Sequence, residues 1–207
     1  MARWTKLAIS ASFIHMARDL QRTIFHLVED NLGFLTTGMA KEADIPIEEL
    51  ARLARRGTLD RISQGVYRLY EFPPNPLDSY MAASLWPRGV PGTLSHETAL
   101  DLYEVCDINP AKVHVSVPIG HRIRRAVPLL YVIHHDAIPE SDIGYIEAIR
   151  ITKLRRAIID CIAWGIGTYL LDQAVESGRK QGLLTSGEQA DLMHRLEVRG
   201  SAVDASL

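Results

Sequence analysis

Arginines concentrate in one short segment of this sequence. Between positions 52 and 68 the chain carries five arginines and a single acidic residue, Asp60. A guanidinium group presents several N–H donors in one plane, so it can bind a phosphate or the acceptor edge of a guanine. The whole chain has a formal charge of only −2, which excludes a protein that coats nucleic acid by bulk attraction. The segment therefore predicts a local contact with nucleic acid.

Three helices are predicted around the start of this segment. Apolar side chains recur every three or four residues from Arg18 to Asn31, which is the period of an amphipathic helix. A short second helix follows through Met39, and the hydroxyl of Thr36 or Thr37 can cap its first amides. The third helix is predicted from Pro46 to Arg56, because proline favours the first position of a helix and a glycine follows the last one.

Two short β-prone runs follow the third helix. They span Thr58–Ile62 and Val66–Leu69 and are joined by a turn that contains Gly65, which is the signal of a hairpin. Three helices and a hairpin in this order are typical of a winged helix-turn-helix, whose third helix enters the major groove of DNA. The sequence thus predicts a DNA-binding domain over residues 1–72.

The outer face of the third helix and the hairpin supply the candidate DNA contacts. Leu50, Leu53 and Ala54 are expected to face the core, which leaves the charged residues outside. Glu48 or Glu49 could accept a hydrogen bond from cytosine or point away from the groove. The predicted DNA-binding residues are Thr37, Glu48, Arg52, Arg55, Arg56, Arg61, Gln64 and Arg68. The alternatives are a solvated charged surface or a protein-binding module.

The chain beyond the proline-rich segment 71–76 is predicted to form a second domain, over residues 77–207. Helices are predicted at 77–86, 96–103, 154–164, 168–180 and 186–198, and strands at 113–117, 129–133 and 148–152. The last helix is expected to begin at Thr185 or Ser186, with Glu188 close behind. The predicted fold class is therefore α+β, with an N-terminal winged helix-turn-helix followed by a mixed α/β domain that ends in helices.

Short motifs in both domains resemble AbiEi-type antitoxins. In the first domain these are Gly33–Thr37, Ile45–Leu53, Arg55–Leu59 and Gly65–Arg68. In the second they are Leu94–Leu100, His114–Pro118 and the segment from Ile151 to Asp160. In that family a helix ends in a basic pair followed by a glycine, and a leucine-containing strand comes next. The wing that follows contains glycine, an aliphatic residue and tyrosine in this order. The resemblance covers roughly residues 18–165.

This resemblance implies a bacterial antitoxin that represses its own promoter and neutralises a nucleotidyltransferase-like toxin encoded beside it. The implied partners are promoter DNA and that toxin, with self-association on DNA, and direct contact with the toxin stays open. Residues 77–207 would be the C-terminal antitoxin domain. A cytoplasmic location is expected, because Cys106 and Cys161 lack disulfide or zinc spacing and the apolar run Leu7–Ile14 has no clean cleavage site after it.

A second basic stretch lies in the second domain. Residues 111–128 contain no Asp or Glu and carry Lys112, Arg122, Arg124 and Arg125. These four residues could form a second contact surface for the toxin, for its RNA substrate or for DNA beside the operator. A solvent-facing β-hairpin explains the stretch equally well.

Catalytic groups, cofactors and metal sites are not predicted. His134 and His135 are adjacent on a strand and point to opposite faces, and no C-x-x-C or H-E-x-x-H motif accompanies them. Arg156 and Asp160 are expected to pair across one helical turn in a structural role. The chain is thus expected not to be an enzyme. Two alternatives stay open: a ligand-sensing winged-helix repressor with an apolar pocket, and a nuclease-like enzyme that uses Asp160 and neighbouring carboxylates around a metal.

Overall fold

The computed structural model describes residues 20–204, with side chains to residue 201. The predicted start of the first helix at Arg18 and the apolar run Leu7–Ile14 lie outside these residues. The chain divides into two compact units between Gly89 and Val90. This division comes later than the proline-rich segment 71–76 that the sequence analysis takes as the linker, and the segment itself belongs to the first unit.

The first unit is a winged helix. Its elements are α1 (described over 20–29), β1 (Phe34–Thr36), α2 (Thr37–Glu42), α3 (Ile47–Arg55), β2 (Leu59–Ser63), β3 (Val66–Leu69) and α4 (Asp78–Leu85). Strand β1 was not predicted from the sequence. It pairs antiparallel with β3 and gives a three-stranded sheet of order β1-β3-β2. A three-residue strand is too short to show the alternation that predicts a strand. Pro46 precedes α3 as its N-cap instead of being its first residue.

One apolar core holds these elements together. Val28 of α1, Leu35 of β1, Leu50 of α3 and Leu59 of β2 are almost fully buried in it. Gly33 stands where α1 turns into β1, with φ +85°, and a Cβ there would lie 2.6 Å from the Phe72 ring. Burial of Leu50 sets the rotation of α3, so the opposite face of this helix lies in solvent.

The second unit is built on a five-stranded mixed sheet of order β6-β5-β4-β8-β7. Its strands are β4 (Thr93–Leu94), β5 (Val113–Val117), β6 (Tyr131–His135), β7 (Ile143–Ile146) and β8 (Ile149–Thr152). Its helices are α5 (His96–Leu102), α6 (Leu154–Trp164), α7 (Thr168–Lys180) and α8 (Ser186–Asp204), with a 3-10 turn at Glu140–Asp142. The predicted fold class, α+β with a winged helix first and helices last, is confirmed.

The pairing of β5 with β6 corrects one prediction. These strands run parallel, so residues 118–130 form a crossover between them and not the solvent-facing hairpin that the sequence analysis considered. Strand β6 also begins two positions later than predicted, at Tyr131. The short strands β4 and β7 were not predicted, and β4 has only two residues.

The helices of the second unit pack around α6, whose Leu154, Ala157 and Ile158 are fully buried or nearly so. Helix α8 begins with a capping box. The Thr185 hydroxyl accepts from the Glu188 amide at 3.2 Å, and the Glu188 carboxylate accepts from the Thr185 amide at 2.8 Å. Within residues 20–204, none of the helices combines the length and hydrophobicity that crossing a bilayer requires.

Candidate nucleic-acid interface

Helix α3 presents a charged face to solvent, as predicted. Its inner side is fixed by the burial of Leu50 and Leu53, and Glu48, Arg52 and Arg55 lie exposed on the other side. The helix is short and ends at a basic pair, after which the chain turns into the hairpin. This is the face that a winged helix offers to the major groove.

Arg52 forms an ion pair with Glu49, one turn earlier on the same helix. The hydrogen bond that Arg52 donates to the Glu49 carboxylate raises the pKa of the Arg52 guanidinium. The Glu49 side chain is only 14% exposed, whereas that of Arg52 is 47% exposed. Of the two acidic residues considered for base contact, Glu49 therefore lies beside the helix as a partner of Arg52, and Glu48 stays exposed on the outer face.

Three other arginines near the end of α3 and on β2 have no acidic partner among residues 20–201. Arg55, Arg56 and Arg61 are all exposed. The Nε–H group of Arg55 donates to the carbonyl oxygen of Ala51 at 3.3 Å, which lays the side chain along the helix. These three guanidinium groups can take up anionic ligands without first breaking an ion pair in the described part of the chain.

The hairpin turn is held against the start of α2. The amide of Thr37 donates to the carbonyl oxygen of Gly65 at 2.9 Å. Gly65 has φ +80°, and a Cβ at this position would lie 3.0 Å from the hydroxyl oxygen of Thr37. Thr36, not Thr37, caps α2 by accepting from the Met39 amide at 3.1 Å. Thr37 thus positions the wing, and Gln64 is exposed at its tip.

Arg68 differs from the other predicted DNA-binding residues because the protein itself binds its guanidinium group. The group lies 5.8 Å from the ring centre of Phe34 and 6.0 Å from that of Phe72. It donates to the carbonyl oxygens of Phe72 and Pro73 and forms an ion pair with Asp78. Arg68 therefore ties the proline-rich segment to the winged helix, which explains why this segment does not separate the units.

The second basic stretch divides into exposed and packed residues. Lys112, Arg122 and Arg124 are exposed, whereas Arg125 is half-buried and interacts with other groups of the protein. Arg122 and Arg124 lie on the crossover between β5 and β6. The exposed three can contact a partner.

Arg156 is the centre of a carboxylate cluster in the second unit. Its Nε atom lies 2.7 Å from Oδ1 of Asp160, which confirms the predicted pair, and its terminal nitrogens pair with Asp136 and Asp142. Burial raises the pKa of Asp160 and the nearby guanidinium opposes that rise. The carboxylates that a nuclease-like site would have used therefore surround a guanidinium.

Three histidines that the sequence analysis did not bring together meet in the second unit. His96 begins α5, His114 lies on β5 and His134 lies on β6. One ring nitrogen of each lies within 4.8 Å of those of the others. Only the adjacent His134 and His135 stand out in the sequence, because the parallel pairing of β5 with β6 brings His114 beside His134 and no local pattern reveals it.

Comparison with known proteins bears most directly on the family resemblance of the first unit. Residues 22–70 match the sequence model of a family described as "Transcriptional regulator, AbiEi antitoxin", which confirms the resemblance over the winged helix. The fold is similar to the crystal structure of the RV2827C protein from Mycobacterium tuberculosis, at 14% identity and a TM-score of 0.50, over 89% of this chain and 80% of that one. No curated protein matches the chain significantly.

Proposed function

We propose that this chain, whose residues 22–70 match the AbiEi antitoxin regulators, is the antitoxin and autorepressor of a bacterial toxin–antitoxin pair. Its first unit would bind the promoter of its own operon in the cytoplasm. Its second unit would serve self-association and control of a nucleotidyltransferase-like toxin. The proposed role is that of a regulator and not of an enzyme.

The proposal rests mainly on three arginines at the end of α3 and on the wing. Arg55, Arg56 and Arg61 are exposed and have no acidic partner within residues 20–201. In a winged helix these positions lie where the third helix enters the major groove and the wing crosses the backbone. Phosphate contacts there fix the register of the protein, and Glu48, Arg52 or Gln64 can then read base edges.

Arg52 can join this contact at little cost. Its partner Glu49 lies three residues earlier on the same helix, and an ion pair at this spacing contributes little to the stability of a helix. A phosphate or a guanine edge can therefore replace the Glu49 carboxylate as the partner of Arg52. After this exchange the negative charge of Glu49 would stay near the DNA and repel its phosphates. Glu49 would therefore weaken non-specific binding.

A ligand-sensing repressor remains the second candidate function. It needs an apolar pocket with a few polar groups. One cleft of the second unit is instead lined by charged residues of α5, the following turn and α7, among them Asp101, Glu104, Glu176 and Lys180. That lining favours water and ions over an apolar ligand. A second cleft, lined by Val117, Pro118 and Ile143 among others, is more apolar but holds only about 130 Å³. This is less than the roughly 300 Å³ of the smallest usual ligand pockets, so the antitoxin role is preferred.

The proposal is tested in cells that carry a reporter fused to the promoter of this operon. The toxin, encoded by the neighbouring gene, is supplied from an independent promoter. The intact chain should silence the reporter and rescue growth, whereas the double variant R55A/R56A should lose silencing and keep rescue at matched expression. Rescue without silencing by the intact chain would contradict autorepression, and silencing without rescue would favour the sensor.

A further inference from the structure

We propose that His96, His114 and His134 form a site for a divalent transition metal ion, with zinc as the ion that best suits it. Imidazole nitrogens are ordinary zinc ligands, and three of them with one open position make a common zinc coordination set. The three residues come from α5, β5 and β6, so a bound ion would tie a helix to two parallel strands at one edge of the sheet.

The distances between the ring nitrogens support this site. Nδ1 of His114 lies 3.0 Å from Nε2 of His134. Two nitrogens bound to one tetrahedral zinc at its usual bond length are roughly 3.3 Å apart. An ion can therefore replace the N···N contact with little movement of the backbone. The rings of His96 and His134 stack with centroids 3.7 Å apart, so coordination requires one of these rings to turn about its Cβ–Cγ bond.

Hydrogen bonds already orient two of the three ligands. Nε2 of His114 lies 3.1 Å from a carboxylate oxygen of Glu97, and donation of that N–H leaves the lone pair of Nδ1 for the ion. Nδ1 of His96 lies 2.9 Å from the hydroxyl of Ser95, which in turn lies 2.7 Å from the hydroxyl of Ser116. If His96 donates this proton, its Nε2 is available for the ion. Carboxylate and hydroxyl partners of this kind are typical of zinc-bound histidines.

The protonation state and the backbone of the histidines also fit a ligand role. Burial lowers the pKa of His96 to about 3 and that of His114 to about 4, and it lowers the pKa of His134 as well. All three imidazoles are then neutral at pH 7, the form that binds metal. His96 has φ +54°, a left-handed conformation that is uncommon outside glycine and gathers at functional sites.

A cleft gives the proposed ion a route to solvent. It is lined by His96 and His134 together with Asp136, Asp160 and Trp164. Oδ2 of Asp160 is buried and has no hydrogen-bond partner among residues 20–201, and this residue is only 8% exposed. A water molecule on the open side of the ion would therefore enter a cleft that already holds an unsatisfied acceptor.

The site is tested with the full-length, untagged chain, because an affinity tag of histidines would bind the same ions. Co²⁺ is the probe, since four-coordinate Co²⁺ has characteristic visible absorption, and Zn²⁺ should displace it. We expect one Co²⁺ per chain, loss of the absorption in His134→Ala and His96→Gln, and an unchanged spectrum in His135→Ala. His135 is the matched control because it is exposed, directly follows His134 on β6 and lines the same cleft, but does not belong to the three histidines whose ring nitrogens meet.

A second variant, which keeps all three histidines, tests the site even if the histidine variants fail to fold. Glu97→Gln leaves all three imidazoles in place and removes only the carboxylate partner of His114, so zinc affinity should fall about 10- to 100-fold. Zn²⁺ should also raise the Tm of the intact chain and of His135→Ala. Absence of stoichiometric Co²⁺ binding by the intact chain overturns the proposal. Binding that survives in His134→Ala and is lost in His135→Ala overturns it equally.

Discussion

The Nη2 atom of Arg68 lies 2.9 Å from Oδ2 of Asp78, and only 12% of the Arg68 side chain is exposed. This ion pair joins the last strand of the winged helix to α4, across the proline-rich segment. Arg68 therefore has a structural role, unlike the exposed arginines of the same segment, 52–68. Only the exposed arginines are available to bind DNA.

The first prediction follows from this ion pair. Arg68→Ala should lower the free energy of unfolding of the first unit by about 2 kcal/mol, because it removes charged hydrogen bonds and leaves the Asp78 carboxylate without its arginine, with the backbone amide of Asn75 still donating to it. The matched control is Arg61→Ala, an exposed arginine on the neighbouring strand, which should change stability by less than about 0.5 kcal/mol. Urea unfolding of both variants measures the difference. Equal stability of the two variants would show that the ion pair contributes nothing.

The second prediction concerns the ion pair between Arg52 and Glu49. Glu49→Gln removes the carboxylate that holds Arg52 and reduces the negative charge beside the proposed DNA surface, so affinity for DNA should rise at low salt. Glu29→Gln, an exposed substitution on α1, is the control for the change in net charge. Fluorescence anisotropy with a labelled promoter fragment measures both. Weaker binding by Glu49→Gln would mean that Glu49 itself contacts DNA or positions Arg52 for it.

The third prediction concerns the second basic stretch. Replacing Lys112, Arg122 and Arg124 together by alanine should impair protection from the toxin more than promoter silencing, because these exposed residues belong to the second unit. Arg125 is left intact, since it is half-buried and its loss could affect folding. A triple alanine variant at Arg179 and Lys180 of α7 and Arg195 of α8, all three exposed, controls for the loss of three positive charges. Growth rescue equal to that of the control variant would exclude these residues from toxin control.

Much of the fold could be predicted from periodicity alone. The helices α3, α6 and α7 lie within about a residue of their predicted bounds, because each buries a regular apolar stripe. The strands β1 and β4 were not predicted, because two or three residues are too few to show the alternation of apolar and polar side chains. The linker was predicted at 71–76, before the observed division at Gly89, because the composition shows the prolines of this segment. It does not show the ion pair between Arg68 and Asp78 that holds the segment to the first unit.

The candidate sites show the same limit. The exposure of Arg52 and Arg55 follows from the positions of Leu50 and Leu53 on one helix, which the sequence contains. The packing of Arg68 depends on Asp78, and the meeting of His96, His114 and His134 depends on the parallel pairing of β5 and β6. Arg68 and Asp78 lie ten residues apart on different elements, and the three histidines are separated by 18 and 20 residues. Both separations exceed the few residues over which a helical or strand period can be read.

We infer that the arginines at the end of α3 bind the promoter of the chain's own operon. The most direct measurement is the affinity of the intact chain and of R55A/R56A for a labelled fragment of that promoter, across a series of salt concentrations. Arg22→Ala, an exposed arginine on α1, serves as the control, and an unrelated fragment of equal length reports non-specific binding.

The intact chain and the control should prefer the promoter fragment. R55A/R56A should bind it more weakly, with the salt slope reduced by about 0.9 for each phosphate that the variant no longer binds. Equal affinity and an equal slope for R55A/R56A and the intact chain would contradict the claim.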